Sequence, residues 1–257
     1  MRAPRGQAGG AVQAALTAIS TALVCVATMV FTVYVPATKG FFNLGETMVY
    51  TVAIVFGPYV GAVAGGLGSA LADVLLGYPY YAPGTLVIKA SEGFVVGWLT
   101  RRMAKLGQRA WTYLTSLLAF LSGSLLASIG ACYYSGAADI TLLSAALTLQ
   151  VPPALWICLG VGLAVLIMAL GLSSGPEAGW RVLAVLAGGC VMVLGYFLYE
   201  FFVPWLGPLG WAALAEVPVN MGQVAVGLTV AIPLTRALEK RLGPLEAAAQ
   251  PLSGRGS

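Results

Sequence analysis

The sequence contains no histidine and very little charge. Of its 257 residues only 9% are Asp, Glu, Lys or Arg, against 59% that are hydrophobic. The absence of histidine removes the usual physiological acid–base, the usual proton relay and the commonest zinc and haem ligand. The scarcity of charge excludes a soluble fold. Soluble domains carry roughly 25% charged residues, and a chain of this size with a mean hydropathy of +0.90 cannot hide its apolar surface from water. Cysteine is sparse too. Cys25, Cys132, Cys158 and Cys190 lie scattered in apolar segments without CxxC spacing and read as small buried hydrophobes. No phosphate-binding G-x-x-x-x-G-K motif is present, so the chain is not itself an ATPase. No Ser/Lys, Ser/His, His/Glu or DxxD arrangement is visible, so an enzyme is not expected, nor a metal centre or cofactor. Lys and Arg occur in short clusters between apolar runs, which gives nucleic acid no basic surface.

What is there is a series of long apolar runs, at about 14–35, 44–57, 59–76, 84–100, 112–132, 150–172, 182–203 and 212–235. Most approach the ~20 residues that cross hydrocarbon. They are continuous, unlike the short alternating segments of a barrel. The expected fold is therefore an all-α integral membrane protein with about eight spans. The first run follows Arg2 and Arg5 like a signal peptide, but Ala11 to Val35 is too long for an h-region and reads as a retained helix. Gly57-Pro58 should break residues 44–76 into two helices. With eight spans and the N-terminus inside, Arg2, Arg5, Arg101, Arg102, Lys105, Arg109, Arg181, Arg236, Lys240, Arg241 and Arg255 all fall on one side, and Lys39 alone lies in an outer loop. That is the positive-inside pattern, and it places both termini in the cytoplasm of a multi-pass cell-membrane protein. Seven spans with the N-terminus outside would misplace only Arg2 and Arg5.

Ionisable residues inside the spans carry the functional signal. A charge at mid-membrane costs about 2.5–3.5 kcal/mol on the most lenient scale, so such residues face a cavity or a partner. Thr85, Lys89 and Glu92 share one helix face at i, i+4 and i+7; Tyr196, Tyr199 and Glu200 share another, and Glu216, Asn220 and Gln223 a third. Glu46 and Tyr50 form a shorter stripe. Asp73 sits near the outer end of its span and reads as a helix-end residue; Glu216 could be an exposed interfacial acid. Three polar stripes on three helices should converge on a cavity opening outward, walled by Tyr78, Tyr80, Tyr81, Tyr196 and Tyr199. Stacking rings with a few fixed polar groups suit a small flat polar ligand. Lys89 either touches ligand or pairs with Glu92 or Glu200. Two loops rich in aromatics, Gly and Pro, Pro36–Gly45 and Gly77–Gly84, are either plain interfacial loops or the mouth of the site. Small residues recur every four positions at Gly57, Gly61, Gly65 and Ser69 and at Ala14, Ala18 and Ala22, a spacing that allows close helix contact, within the chain or with a partner.

The segment "KGFFNLGETMVYTVAIVFGPYVGAVAGGLGSALADVLLGYPYYAPGTLVIKASEGFVVG", Lys39 to Gly97, resembles the substrate-binding S components of energy-coupling factor (ECF) vitamin transporters, as does Gly195 to Leu234 with "GYFLYEFF" and "GWAALAEVPVNMGQVAVGLTVAIPL". The carrying features are Asn43-Leu-Gly-Glu46, the Gly57-Pro58 turn, the run Gly65 to Asp73 and Tyr81-Ala-Pro-Gly-Thr-Leu-Val-Ile-Lys89. The resemblance implies a six-helix S-component core. It implies capture of a vitamin or precursor in a site built by the first outer loop, with Asn43 and Glu46, and by the three striped helices. It also implies a membrane T component and two ATP-binding subunits as partners, with Ala14, Ala18 and Ala22 docking on the T component. On this reading residues 1–109 hold the first four core helices, 110–175 an inserted helical pair, 176–242 the last two core helices and 243–257 a disordered cytoplasmic tail. An autonomous proton- or sodium-coupled carrier using Glu92, Glu200 or Asp73 is the alternative.

Overall fold

The computed structural model describes residues 5–35, 39–102, 107–142, 145–172, 175–202 and 209–242. The tail from 243 lies outside them. The chain folds as α1 (Arg5–Val30), β1 (Thr32–Val35), β2 (Gly40–Asn43), α2 (Gly45–Phe56), α3 (Pro58–Leu76), α4 (Ala82–Arg101), α5 (Gln108–Tyr133), β3 (Gly136–Leu142), β4 (Ala145–Val151), α6 (Pro153–Leu172), α7 (Gly175–Phe202), a 3-10 turn (Gly210–Ala215) and α8 (Glu216–Leu242). Six of the helices are long and apolar enough to cross a membrane, which makes this a multi-pass membrane protein. The eight-span expectation is met only in part. α2 has 12 residues, and α4 carries Lys89 and Glu92, which lower its hydropathy. The chain is all-α as expected, apart from two short antiparallel hairpins, β1–β2 and β3–β4; β1 closes the first apolar run and β2 lies in the first outer loop.

The break at Gly57 has a local cause. Gly57 has φ 89°, a left-handed conformation that favours glycine, and Pro58 starts the next helix at a position whose N–H needs no partner. The small residues of α3 serve packing within the chain. A side chain at Gly61 would run into the carbonyl of Gly93, and one at Gly93 into the carbonyl of Gly61; Gly65 and Gly66 face the carbonyls of Lys89 and Leu86. Without a hydrophobic drive in lipid, such backbone-to-backbone approach is what holds helices together. α3 thus lies between α1, which touches it at Gly68, and α4.

α4 packs on α7, and α2 on α8, so the core forms where α2, α4, α7 and α8 meet, around Val49, Tyr50, Val96, Val185 and Leu228. The opposite faces are lipid-ready: Val63, Leu67 and Leu71 of α3 and Ile157, Val161 and Val165 of α6 are all exposed. Cys132, Cys158 and Cys190, expected to be buried, are exposed among them. An apolar groove of about 920 Å³ runs between α1 and α3, lined by Ala14, Ala18 and Ala22 on one side and by Val60, Val63 and Leu67 on the other.

The pair α5–α6 forms its own hairpin, with Gly123 and Gly160 in mutual backbone contact. Its two ends meet, because the Trp111 indole N–H donates to the Gly171 carbonyl at 3.0 Å. α6 buries only a narrow stripe, Gly160, Leu163, Ile167 and Gly171.

Candidate functional site

The three polar stripes converge. A cavity of about 30 Å³ lies where β2, the end of α3, α4, α7 and α8 meet; that is room for about one water. Its lining includes Asn43, Tyr81, Thr85, Lys89, Tyr196, Glu200, Glu216, Asn220 and Gln223, all named from the sequence. Four other expected site residues stand outside it. Tyr78 packs at the rim, ring to ring with Phe41 at 4.7 Å. Tyr199 stands behind Tyr81, against Gly84, and donates to the Tyr80 carbonyl at 2.6 Å. Glu46 and Glu92 form a layer beneath.

In that layer Lys89 meets Glu92, one of its two expected partners, and Glu46, which was not expected. The ammonium is held by Glu46 and by Glu92 Oε2 at 3.1 Å, and Glu200 takes no part. The Tyr50 hydroxyl donates to the other Glu92 oxygen at 2.7 Å. All three ionisable side chains are at most 3% exposed. Glu46 comes from the first turn of α2, while Lys89 and Glu92 stack on one face of α4. Gly227 of α8 lets α2 approach, since a side chain there would meet Glu46 and Tyr50. Lys89 also lies 5.6 Å from the Tyr196 ring centroid, within cation–π range.

Around the cavity the remaining groups are tied in short chains. The Tyr196 hydroxyl donates to Thr85 Oγ1 at 3.0 Å, and Thr85 shares the cavity lining with the Asp73 carboxyl. Asp73 lies near the end of α3 as expected but has a larger role. It is not merely a helix-end residue, for it lines the cavity at 4% exposure. A signal was present, as it is the only ionisable residue in the otherwise apolar α3. Phe41 and Met192, also in the lining, carry no such signal. Glu200 Oε1 accepts from the Tyr81 hydroxyl at 3.1 Å. Burial, reinforced by the Glu200 and Glu216 carboxylates, holds that phenol protonated well above its ordinary pKa, so it stays a donor. On the far wall Gln223 accepts from the Asn43 backbone N–H at 3.2 Å and donates to Asn220 at 2.9 Å, which ties β2 to α8. The Asn43 side chain in turn accepts from the Gly45 N–H at 2.8 Å and starts α2.

Glu216 is 4% exposed, so it is not an interfacial acid. The α5–α6 hairpin reaches the turn that delivers it. The Tyr134 hydroxyl donates to the Ala215 carbonyl at 2.6 Å and that of Tyr133 to Trp211 at 3.2 Å. Tyr134 is held in turn, because the Trp156 indole donates to its carbonyl at 3.1 Å and packs on its ring. A Tyr134→Phe variant will lose one bond worth about 1 kcal/mol. Amide exchange should quicken across the turn before Glu216 and stay unchanged in α2; equal rates in the two proteins would show that the tie does not matter.

No cluster of three His, Cys, Asp or Glu side chains suited to a metal occurs among the described residues. The arrangement offers binding: buried acceptors, one neutralised ammonium and aromatic walls, enclosed by membrane helices.

Comparison with known proteins points the same way. A Pyrococcus woesei protein described as an uncharacterized protein in gap 3' region is 49% identical over 85 residues, 33% of this chain and 57% of its own length. The thiamine precursor transporter HmpT of Lactococcus lactis subsp. cremoris (strain MG1363) is 32% identical over 109 residues, 42% of this chain and 61% of that protein. The chain thus spans less than two thirds of the length of either relative. A model of the ECF-type riboflavin transporter S component matches residues 11–151, more than half of the chain, and the chain belongs to that family.

Proposed function

We propose that the chain is the membrane-embedded substrate-binding subunit for ATP-dependent uptake of a vitamin or vitamin precursor, working with a T component and two ATP-binding subunits. The observation that carries this reading is one cavity lined by Asp73, Lys89, Glu200 and Glu216, all nearly fully buried within a membrane bundle. Membrane helices keep such groups where a solute must be held. Asn43, Thr85, Asn220 and Gln223 supply polar contacts and Tyr81 and Tyr196 the stacking faces. Glu46 and Glu92 fix Lys89, and Tyr78 and Tyr199 form the rim. Family membership and the thiamine precursor transporter among the relatives support the vitamin-like class.

In this proposal α2 and α4 cross with the six long helices, giving eight spans with both termini in the cytoplasm. Residues 1–109 and 176–242 form the core, and 110–175 is an insertion whose even number of crossings keeps the core's topology. The groove beside Ala14, Ala18 and Ala22 receives the T component. In proteoliposomes holding the chain with its T and ATP-binding subunits, uptake should require ATP on the cytoplasmic side and cease without those subunits. Uptake by the chain alone that a proton ionophore abolishes would replace this reading with an ion-coupled carrier.

A further inference from the structure

The cavity is unevenly charged. Three carboxyl side chains reach it, from Asp73 at the end of α3, Glu200 on α7 and Glu216 at the start of α8. Lys89 is the single basic residue in the lining, and Glu46 and Glu92 already hold its ammonium from beneath. Its charge is therefore answered outside the cavity, and the acids above it are not answered by it.

Two of those acids are also short of partners. Tyr81 satisfies one oxygen of Glu200. Glu200 Oε2 and Asp73 Oδ2 are buried with no hydrogen-bond partner among the described residues. Their side chains are 1% and 4% exposed, so water does not reach them freely. A carboxyl oxygen that carries no proton only accepts hydrogen bonds. A buried acceptor left unmet is costly, and the cost is removed by whatever brings a donor. Tyr81, Tyr196 and Phe41 line the same space, and aromatic rings attract both flat rings and cations.

We propose, resting on the transport reading above, that the site, once opened beyond its present one-water space, selects a positively charged, amino-substituted aromatic heterocycle, whose N–H groups donate to Asp73 Oδ2 and Glu200 Oε2 while its ring lies among Tyr81, Tyr196 and Phe41. Neutral and acidic vitamins are disfavoured. A neutral flavin-type ring offers N–H and O–H donors but no positive charge, and an anionic ligand meets three acidic side chains and a lysine that is already engaged.

The test is calorimetric titration of the full chain in nanodiscs with three probes: thiamine, a cationic aminopyrimidine; riboflavin, neutral and flat; and pantothenate, an anion. Thiamine should bind at least tenfold more tightly than the other two, and Glu200→Gln and Asp73→Asn should each weaken it about tenfold or more. The ranking on the unaltered protein needs no variant to fold. Tighter binding of riboflavin or pantothenate overturns the charge selection and leaves the transport reading standing. Binding of none of the three overturns the selection as well, and the uptake assay then decides the transport reading separately. Thiamine affinity unchanged in both variants, with each variant monodisperse, overturns the assigned contacts.

Discussion

Lys89→Met will destabilise the protein by about 3–5 kcal/mol, the usual result of removing one partner from a buried ion pair. Methionine keeps the length and apolar stem of lysine, so little packing is lost. What is lost is the charge that makes Glu46 and Glu92 tolerable at 1% and 0% exposure. Glu92 would keep only the Tyr50 hydroxyl, and Glu46 already has one oxygen without a partner. Thermal unfolding in a fixed detergent measures the effect. Combining Lys89→Met with Glu46→Gln and Glu92→Gln should recover much of the loss, because a site emptied of charge is often close to neutral in stability. A single variant that melts with the parent would mean the triad does not hold α2 to α4.

Gly93→Leu is expected to be comparably damaging for an unrelated reason. At this crossing the backbones of α3 and α4 are in contact, each glycine facing the carbonyl of the other. Overpacking a core typically costs about 1–3 kcal/mol and more where the neighbour cannot yield, and a helix backbone cannot rotate aside as a side chain does. The loss should be about 3 kcal/mol, seen as poor recovery of monodisperse protein. Gly162→Leu on α6 is the matched control, since nothing lies within 4 Å of the position a side chain would take there. Equal behaviour of the two variants would refute the close crossing.

The sequence is most legible where a charge interrupts an apolar helix. Thr85, Lys89, Glu200, Glu216, Asn220 and Gln223 share faces at helical spacing, and those faces meet in the structure because no other arrangement keeps them from lipid. Pairing across the sequence is less legible. Glu46 lies 43 positions from Lys89, and helical periodicity says nothing about which helix will be a neighbour. The larger role of Asp73 was missed because a position near a helix end looks interfacial until α4 brings Thr85 into the same cavity lining. The first hairpin was missed for a different reason: Thr32–Val35 and Gly40–Asn43 are strands of four residues, too short for an alternating pattern to show, and the former merged with the end of an apolar run. The tie from Tyr134 to Ala215 joins segments 81 positions apart and leaves no local trace.

The Glu46–Lys89–Glu92 triad has a consequence for the order in which the protein is made. A chain emerges from the ribosome N-terminus first, at about 5–20 residues per second. Every member of the triad, and Tyr50 beside it, lies within the first 92 residues. The most expensive charges can thus neutralise one another as soon as α2 and α4 are in the bilayer, with more than half the chain still to be synthesised. The acids of the cavity are divided differently. Asp73 arrives early, while Glu200 and Glu216 enter with the last two helices, so the fixed lysine base is complete well before the acidic wall that closes over it.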